Sequence, residues 1–377
     1  MEKIVVVSDS FKGTLSSLEI CRLARQAVSA VFPACQVDTV PVADGGEGTV
    51  DCFVEAIGAE RVSVPVTGPF GEPLEAAYAR KGSLAVLEMS AAAGLPLVGD
   101  RGDPERTTTY GVGQLVRHAV DHGCREILLG IGGSATNDGG CGCAAALGAV
   151  FFDETGAPFL PVGGTLDQIA RIDVSGASAL LEGIDVTVMC DVENPLYGPT
   201  GAAHIFGPQK GADGAMVERL DRQLRALDHC IRRELGMDLS ALPGGGAAGG
   251  MGAGCVAFLG AELRSGIEAV LDAVDFESRL AGADLVLTGE GRIDSQSVHG
   301  KVISGVARRT ALRGIPLVAL VGAIDPSASA AYGLGVTAMF GIDREGEDFA
   351  NSAPKSGENY RRTLEDILRL VRAVEPR

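Results

Sequence analysis

Residues 4–7 (Ile4-Val5-Val6-Val7) are a β-branched run between polar flanks, which predicts a buried parallel strand. Ser16 followed by Glu19 forms a capping-box pattern. The helix it opens places Ile20, Leu23, Ala24, Ala27, Val28 and Val31 on one face, and Pro33 closes it. Residues 37–42 read as the next strand, followed by Asp44-Gly45-Gly46 and a helix over 48–57. This repeated strand–loop–helix order is the start of a parallel α/β domain.

From Arg61 the pattern changes. Strand-like segments at 62–66 and 84–89 alternate with turns such as Gly68-Pro69-Phe70-Gly71. A helix over 111–122, a strand over 127–131, a helix after Gly140, a strand over 186–190 and a helix over 215–235 follow. Residues 243–254 hold seven glycines in twelve positions, which predicts a hinge or a ligand-covering loop. The first pattern then returns, with apolar β runs at 285–287, 317–321 and 336–340 and a helix over 301–312 between the first two. The final helix, 358–374, turns Leu364, Ile367, Leu368 and Val371 inward. The expected architecture is α/β with two domains. Residues 1–62 plus 265–377 form a discontinuous, doubly wound, Rossmann-like parallel sheet, and 63–264 form an inserted α/β domain with a mixed sheet.

Composition adds three constraints. Glycine, at 53 residues of 377, is about twice its usual share of ~7%, and it clusters in loops. A formal net charge of −17 argues against nucleic-acid and anionic-membrane partners. Nine scattered cysteines without C-x-x-C read as small buried thiols in a reducing cytoplasm. The first apolar run is too short for a signal peptide, and the longest apolar stretch, 143–152, is too short to span a bilayer. A cytoplasmic protein is expected.

Four glycine–acid loops fall where predicted strands end: Ser8-Asp9-Ser10-Phe11-Lys12-Gly13, Asp44-Gly45-Gly46-Glu47-Gly48-Thr49, loop 132–140, and Thr288-Gly289-Glu290-Gly291-Arg292-Ile293-Asp294-Ser295. Ligands of open α/β sheets bind outside the carboxyl ends of the strands. Together the loops read as one assembled phosphate–metal site. Mg²⁺ takes one or two carboxylates together with phosphate oxygens. Neither a P-loop nor a protein-kinase motif set is present, and Gly130-Ile131-Gly132-Gly133-Ser134 is only half of a dinucleotide fingerprint. Lys12 is either a phosphate contact or a surface lysine. Asp44 and Glu47 are metal or base candidates, with helix capping as the plainer role. Ser134, Thr136, Asn137 and Asp138 precede a helix and suit an anion. Glu290, Arg292 and Asp294 suit Mg²⁺ and an anion clamp, or a surface ion pair. Asp191 and Asn194 suit a general base or metal contact. His118 and His122, spaced i,i+4, read as a solvated helix face, while His204 and His299 stay open.

These loops together resemble the bacterial glycerate kinase family of the first type. The matching segments are 8–17, 41–49, 107–113, 130–142, 190–211 (with Gly207-Pro208-Gln209-Lys210-Gly211), 249–254 and 283–301, in order along nearly the whole chain. The resemblance implies phosphorylation of D-glycerate by ATP with Mg²⁺, and two α/β domains with the active site in the cleft between them. Given that reaction, the chemistry of the residues themselves puts Glu290 and Asp294 at Mg²⁺ and Lys12 on the transferring phosphate. Asp191 or Asp44 takes the hydroxyl proton, and Arg292 or Lys210 holds the carboxylate. Ser10, Gly45, Gly46, Gly132, Gly133, Ser134, Asn137 and Asp138 line the anion-binding loops. The 2-phospho product is favoured. A 3-phospho product, a kinase of another hydroxy acid, a non-catalytic acid-binding protein and a homodimer are the open alternatives.

Overall fold

A computed structural model describes residues 1–43, 45–294, 301–346 and 348–374. The chain divides into two compact units. One comprises Met1–Asp44, Cys52–Gly58 and Gly266–Arg377; the other comprises Gly45–Asp51 and Ala59–Ser265.

The first unit is built on a five-stranded sheet, all parallel, in the spatial order Val336–Gly341, Leu317–Val321, Leu285–Gly289, Lys3–Ser8, Gln36–Pro41. From Lys3–Ser8, the fourth strand across, the chain adds Gln36–Pro41 on one side and the other three strands on the other. The order therefore reverses between Lys3–Ser8 and Leu285–Gly289, where a doubly wound sheet leaves a crevice at its carboxyl edge. Ile4 lies opposite Leu285 and Ser8 opposite Gly289. The strand Leu317–Val321 is buried at every position, which explains its unbroken apolar sequence. The helix Ser17–Val31 starts with the full capping box: Ser16 Oγ accepts from Glu19 N, and the Glu19 carboxylate accepts from Ser16 N. Its apolar face packs with Tyr360, Leu364, Ile367 and Leu368 of the helix Ser356–Val374. Each such buried side chain contributes about 1.5–3 kcal/mol relative to exposure.

The second unit holds a six-stranded mixed sheet in the order Glu262–Arg264, Asp185–Met189, Glu126–Gly130, Leu84–Glu88, Pro73–Lys81, Glu60–Thr67. The first four strands are mutually parallel, and the last two add as an antiparallel meander. A small antiparallel sheet (Pro158–Phe159, Val150–Phe152, Arg171–Asp173) covers part of this unit's core, with the Phe151 ring edge-on to Phe258 at 5.6 Å.

The glycine-rich stretch 243–254 is neither a hinge nor a covering loop, contrary to the expectation. It enters the buried helix Ala247–Leu259 through three left-handed residues, Ala248, Gly249 and Gly250. The glycines let this helix touch backbone. A Cβ on Gly249 would stand 2.0 Å from the Thr136 carbonyl oxygen, and one on Gly254 would stand 2.1 Å from that of Gly139. Among the described residues, no helix is long and apolar enough to cross a membrane.

Candidate active site

In the second unit two of the glycine loops lean on each other. Gly132 N donates to the Gly45 carbonyl at 3.1 Å, and a Cβ on Gly132 would fall 2.9 Å from Gly46 Cα. Gly45 takes φ +80° beside Met189 and Gly130. These glycines thus serve a loop-on-loop contact at the carboxyl edge of the parallel strands. The helix Thr49–Ile57 that follows is held from a distant strand, where the Glu88 carboxylate accepts from Val50 N at 3.3 Å. Burial pushes the Glu88 carboxyl above its ordinary range. The sequence reading passed over Glu88, although a carboxylate closing a buried strand was the signal available. Next to it the Ser90 hydroxyl is buried with no hydrogen-bond partner among the described residues. Glu88 and Ser90 line a cavity of about 330 Å³ with Glu47, Arg61 and Glu75.

Loop 132–140 divides its labour. Asp138 is fully buried, and its carboxylate accepts from Thr109 N (2.7 Å), Thr109 Oγ1 (2.8 Å), Gly140 N (3.1 Å) and Gly142 N (3.2 Å). Burial pushes its pKa up, against these four bonds. Asp138 therefore ties the loop to the helix Tyr110–Asp121 and to the first turn of Cys141–Leu147. Its neighbours are placed differently. Lys210, 2 % exposed, donates from Nζ to the Thr136 carbonyl at 2.6 Å and to Ser134 Oγ at 2.9 Å. Desolvation lowers its pKa to about 7, with the Asp138 charge acting in the opposite sense. Asn137 is fully buried, and among the described residues neither end of its carboxamide has a partner; nor has Thr136 Oγ1. Such groups cost about 1–3 kcal/mol each when left unsatisfied. The Lys210 ammonium with the loop's own carboxamide and hydroxyl is the donor set a small carboxylate or phosphate takes.

Asp191 follows the strand Asp185–Met189 and is exposed, its carboxylate accepting from Ser265 Oγ at 3.1 Å. Asn194 is turned to local structure, donating to the Thr200 carbonyl at 2.8 Å.

In the first unit, the loops after Lys3–Ser8 and Leu285–Gly289 lie side by side: a Cβ on Gly291 would stand 3.3 Å from Lys12 N. Lys12 is exposed in a turn closed by the Phe11–Leu15 bridge. Ser10 N donates to the Asp9 carboxylate at 2.6 Å. Glu290 is buried and Asp294 half-buried. Arg292 is exposed and paired with Asp325 at 2.8 Å. The Asp325 carboxyl is drawn down to about 2, by its Ser327 hydrogen bonds first and Arg292 next. Among the described residues, no three His, Cys, Asp or Glu side chains gather as a metal cage. A buried Glu290 and a half-buried Asp294 on one strand-end loop fit Mg²⁺ only in its usual phosphate-bound form, with one or two carboxylates. Asp44 and His299 lie outside the described residues. His118 and His122 stack at 3.9 Å, and His204 faces Glu218 at 3.9 Å.

The family model for the glycerate kinase family matches residues 4–372. A glycerate kinase of Bacillus subtilis (strain 168) is 43% identical over 376 residues, covering 99% of this chain and 98% of its own. A glycerate 2-kinase of Escherichia coli (strain K12) is 45% identical over 344 residues, 90% of each chain. A crystal structure described as a glycerate kinase 2 from Salmonella typhimurium LT2 superposes with a TM-score of 0.88 at 44% identity, covering 99% of this chain and 98% of that one. It shares the fold of a parallel Rossmann-like sheet and a mixed sheet. By sequence over nearly its whole length, and by structure, the chain belongs to the bacterial glycerate kinase family and is a kinase.

Proposed function

We propose that this enzyme transfers the γ-phosphoryl group of ATP to the 2-hydroxyl of D-glycerate, giving 2-phosphoglycerate and ADP. The observation that carries this reading is the 45% identity to a relative named a glycerate 2-kinase. The second unit supplies a receptor for the substrate carboxylate. Two of the three Lys210 N–H groups are taken by Ser134 and Thr136, which leaves one for a ligand. Asn137 Nδ2 and Thr136 Oγ1 add two more donors. With Arg292 committed to Asp325, Lys210 is the better choice for this role. Asp191, exposed and oriented by Ser265, is the acid assigned to take the hydroxyl proton. Asp44 stays as the alternative base.

Glu290 and Asp294 would hold Mg²⁺, which when bound neutralises charge on the phosphate oxygens. Lys12, at the end of the first strand, offers a point charge to the same oxygens. Nine free thiols, most of them buried, suit a cytoplasmic setting. The test is ADP release from Mg-ATP. It should be stimulated by D-glycerate and abolished by chelation. Binding of D-glycerate with no turnover would instead favour an acid-binding protein.

A further inference from the structure

At the carboxyl edge of the five-stranded sheet, the crevice beside Lys3–Ser8 and Leu285–Gly289 opens into a cavity of about 260 Å³. Its lining comes from the loops after four of the five strands and from the segment leading into the last helix. Two glycines form the floor. A Cβ on Gly322 would stand 2.4 Å from the Gly291 carbonyl oxygen, so bare backbone is all that fits between these strand ends. Phe11 and Ile342 make buried apolar walls, while Phe349 is 66% exposed with its ring over Gly13. Asn359 lines the cavity from the last helix. It is 6% exposed. Asp343 stands at the rim, its carboxylate fixed by Glu345 N and Gly346 N at 3.2 and 3.1 Å. Lys12 also lines the cavity.

We infer that this cavity seats the adenosine part of ATP, with Asn359 reading the adenine edge and Phe349 covering its face. The inference rests on the ATP-dependent reading above and adds to it where the nucleoside sits. A half-exposed aromatic over a glycine is a stacking surface for a flat heterocycle. A carboxamide offers one acceptor and one donor, the complement of the amino group and ring nitrogen on one edge of adenine. Guanine presents two acceptors on that edge, so the same carboxamide disfavours GTP. The fixed Asp343 carboxylate accepts from ribose hydroxyls. The volume lies just under the ~300–1,000 Å³ of drug-sized ligand sites, which suits a nucleoside with its phosphates outside, on the Lys12 side.

The test compares the full-length protein with Asn359→Leu and Phe349→Ser. ADP binding is measured by calorimetry, and KM is measured separately for ATP and D-glycerate. Both variants should weaken ADP and raise KM for ATP about 10-fold or more, as loss of one well-made contact does. KM for D-glycerate and the melting temperature should stay at the wild-type values. Phe349 is a surface residue, so its variant folds even if the helix substitution does not. Photolabelling with 8-azido-ATP should mark peptides spanning 349–359. ADP binding at wild-type strength in the Phe349 variant, with label elsewhere, would overturn the inference while leaving the kinase reading intact. A wild-type protein that binds no adenine nucleotide would overturn both.

Discussion

Lys210 sends its ammonium into the Thr136 carbonyl at 2.6 Å from a position 2% exposed, so a cation is stored where water does not reach. Its pKa in the folded chain, about 7, lies below the ordinary 10.5. The unfolded chain therefore binds a proton that the folded chain resists between those values. The resulting cost is present in full below pH 7 and fades as pH rises towards 10.5. Thermal melts of Lys210→Met against wild type should show the variant's relative stability falling steadily from pH 7 to pH 10. A difference that does not move with pH would mean Lys210 keeps its ordinary pKa. In wild type, KM for D-glycerate should climb above pH 7 as the ammonium loses its proton.

Asn137 separates a ligand role from a packing role. Its carboxamide is buried without partners among the described residues, so Asn137→Leu removes about 1–3 kcal/mol of unsatisfied polarity. The variant should melt at or above the wild-type temperature, while its KM for D-glycerate rises at least ~10-fold, the loss of about 1.4 kcal/mol of binding. A destabilised variant with normal KM would assign Asn137 to structure alone.

Gly249 tests the packing of this loop. It adopts φ +70°, and any Cβ would meet the Thr136 carbonyl oxygen and the Asn137 Cα. Gly249→Ala should cost at least ~2 kcal/mol in denaturant melts and raise KM for D-glycerate through the displaced loop. Unchanged stability would contradict the described contact.

Asp191→Asn tests the proton acceptor. Turnover should fall at least ~100-fold while D-glycerate still binds, since general-base removal costs rate and not ground-state affinity. Near-normal turnover would move the role to another acid, Asp44 first.

The three inner strands of the first unit, Lys3–Ser8, Leu285–Gly289 and Leu317–Val321, were legible because they are buried nearly throughout and their sequences are mostly apolar runs. The capping box at Ser16 was equally plain, since both halves lie within four residues. The strand Pro73–Lys81 was missed, because its buried centre is Ala76-Ala77-Tyr78-Ala79, a run without β-branched residues. The site was legible as loops but not as roles. Asp138 and Asn137 are adjacent and equally polar, yet Asp138 is consumed by Thr109, Gly140 and Gly142 while Asn137 is left unbonded. That distinction depends on Thr109, 29 positions away, which no local pattern carries. Arg292 looked like an anion clamp until its partner, Asp325, came from another strand end. The glycines at 249–254 looked like a hinge because sequence alone does not show that a backbone lies against them.

The measurement that tests the central claim most directly is ³¹P NMR of the products from Mg-ATP and D-glycerate. The account predicts ADP and a phosphomonoester signal split into a doublet by the single proton on carbon 2. A triplet from the two protons on carbon 3 would contradict the assigned hydroxyl. Intact ATP with no new ester would contradict the assigned reaction.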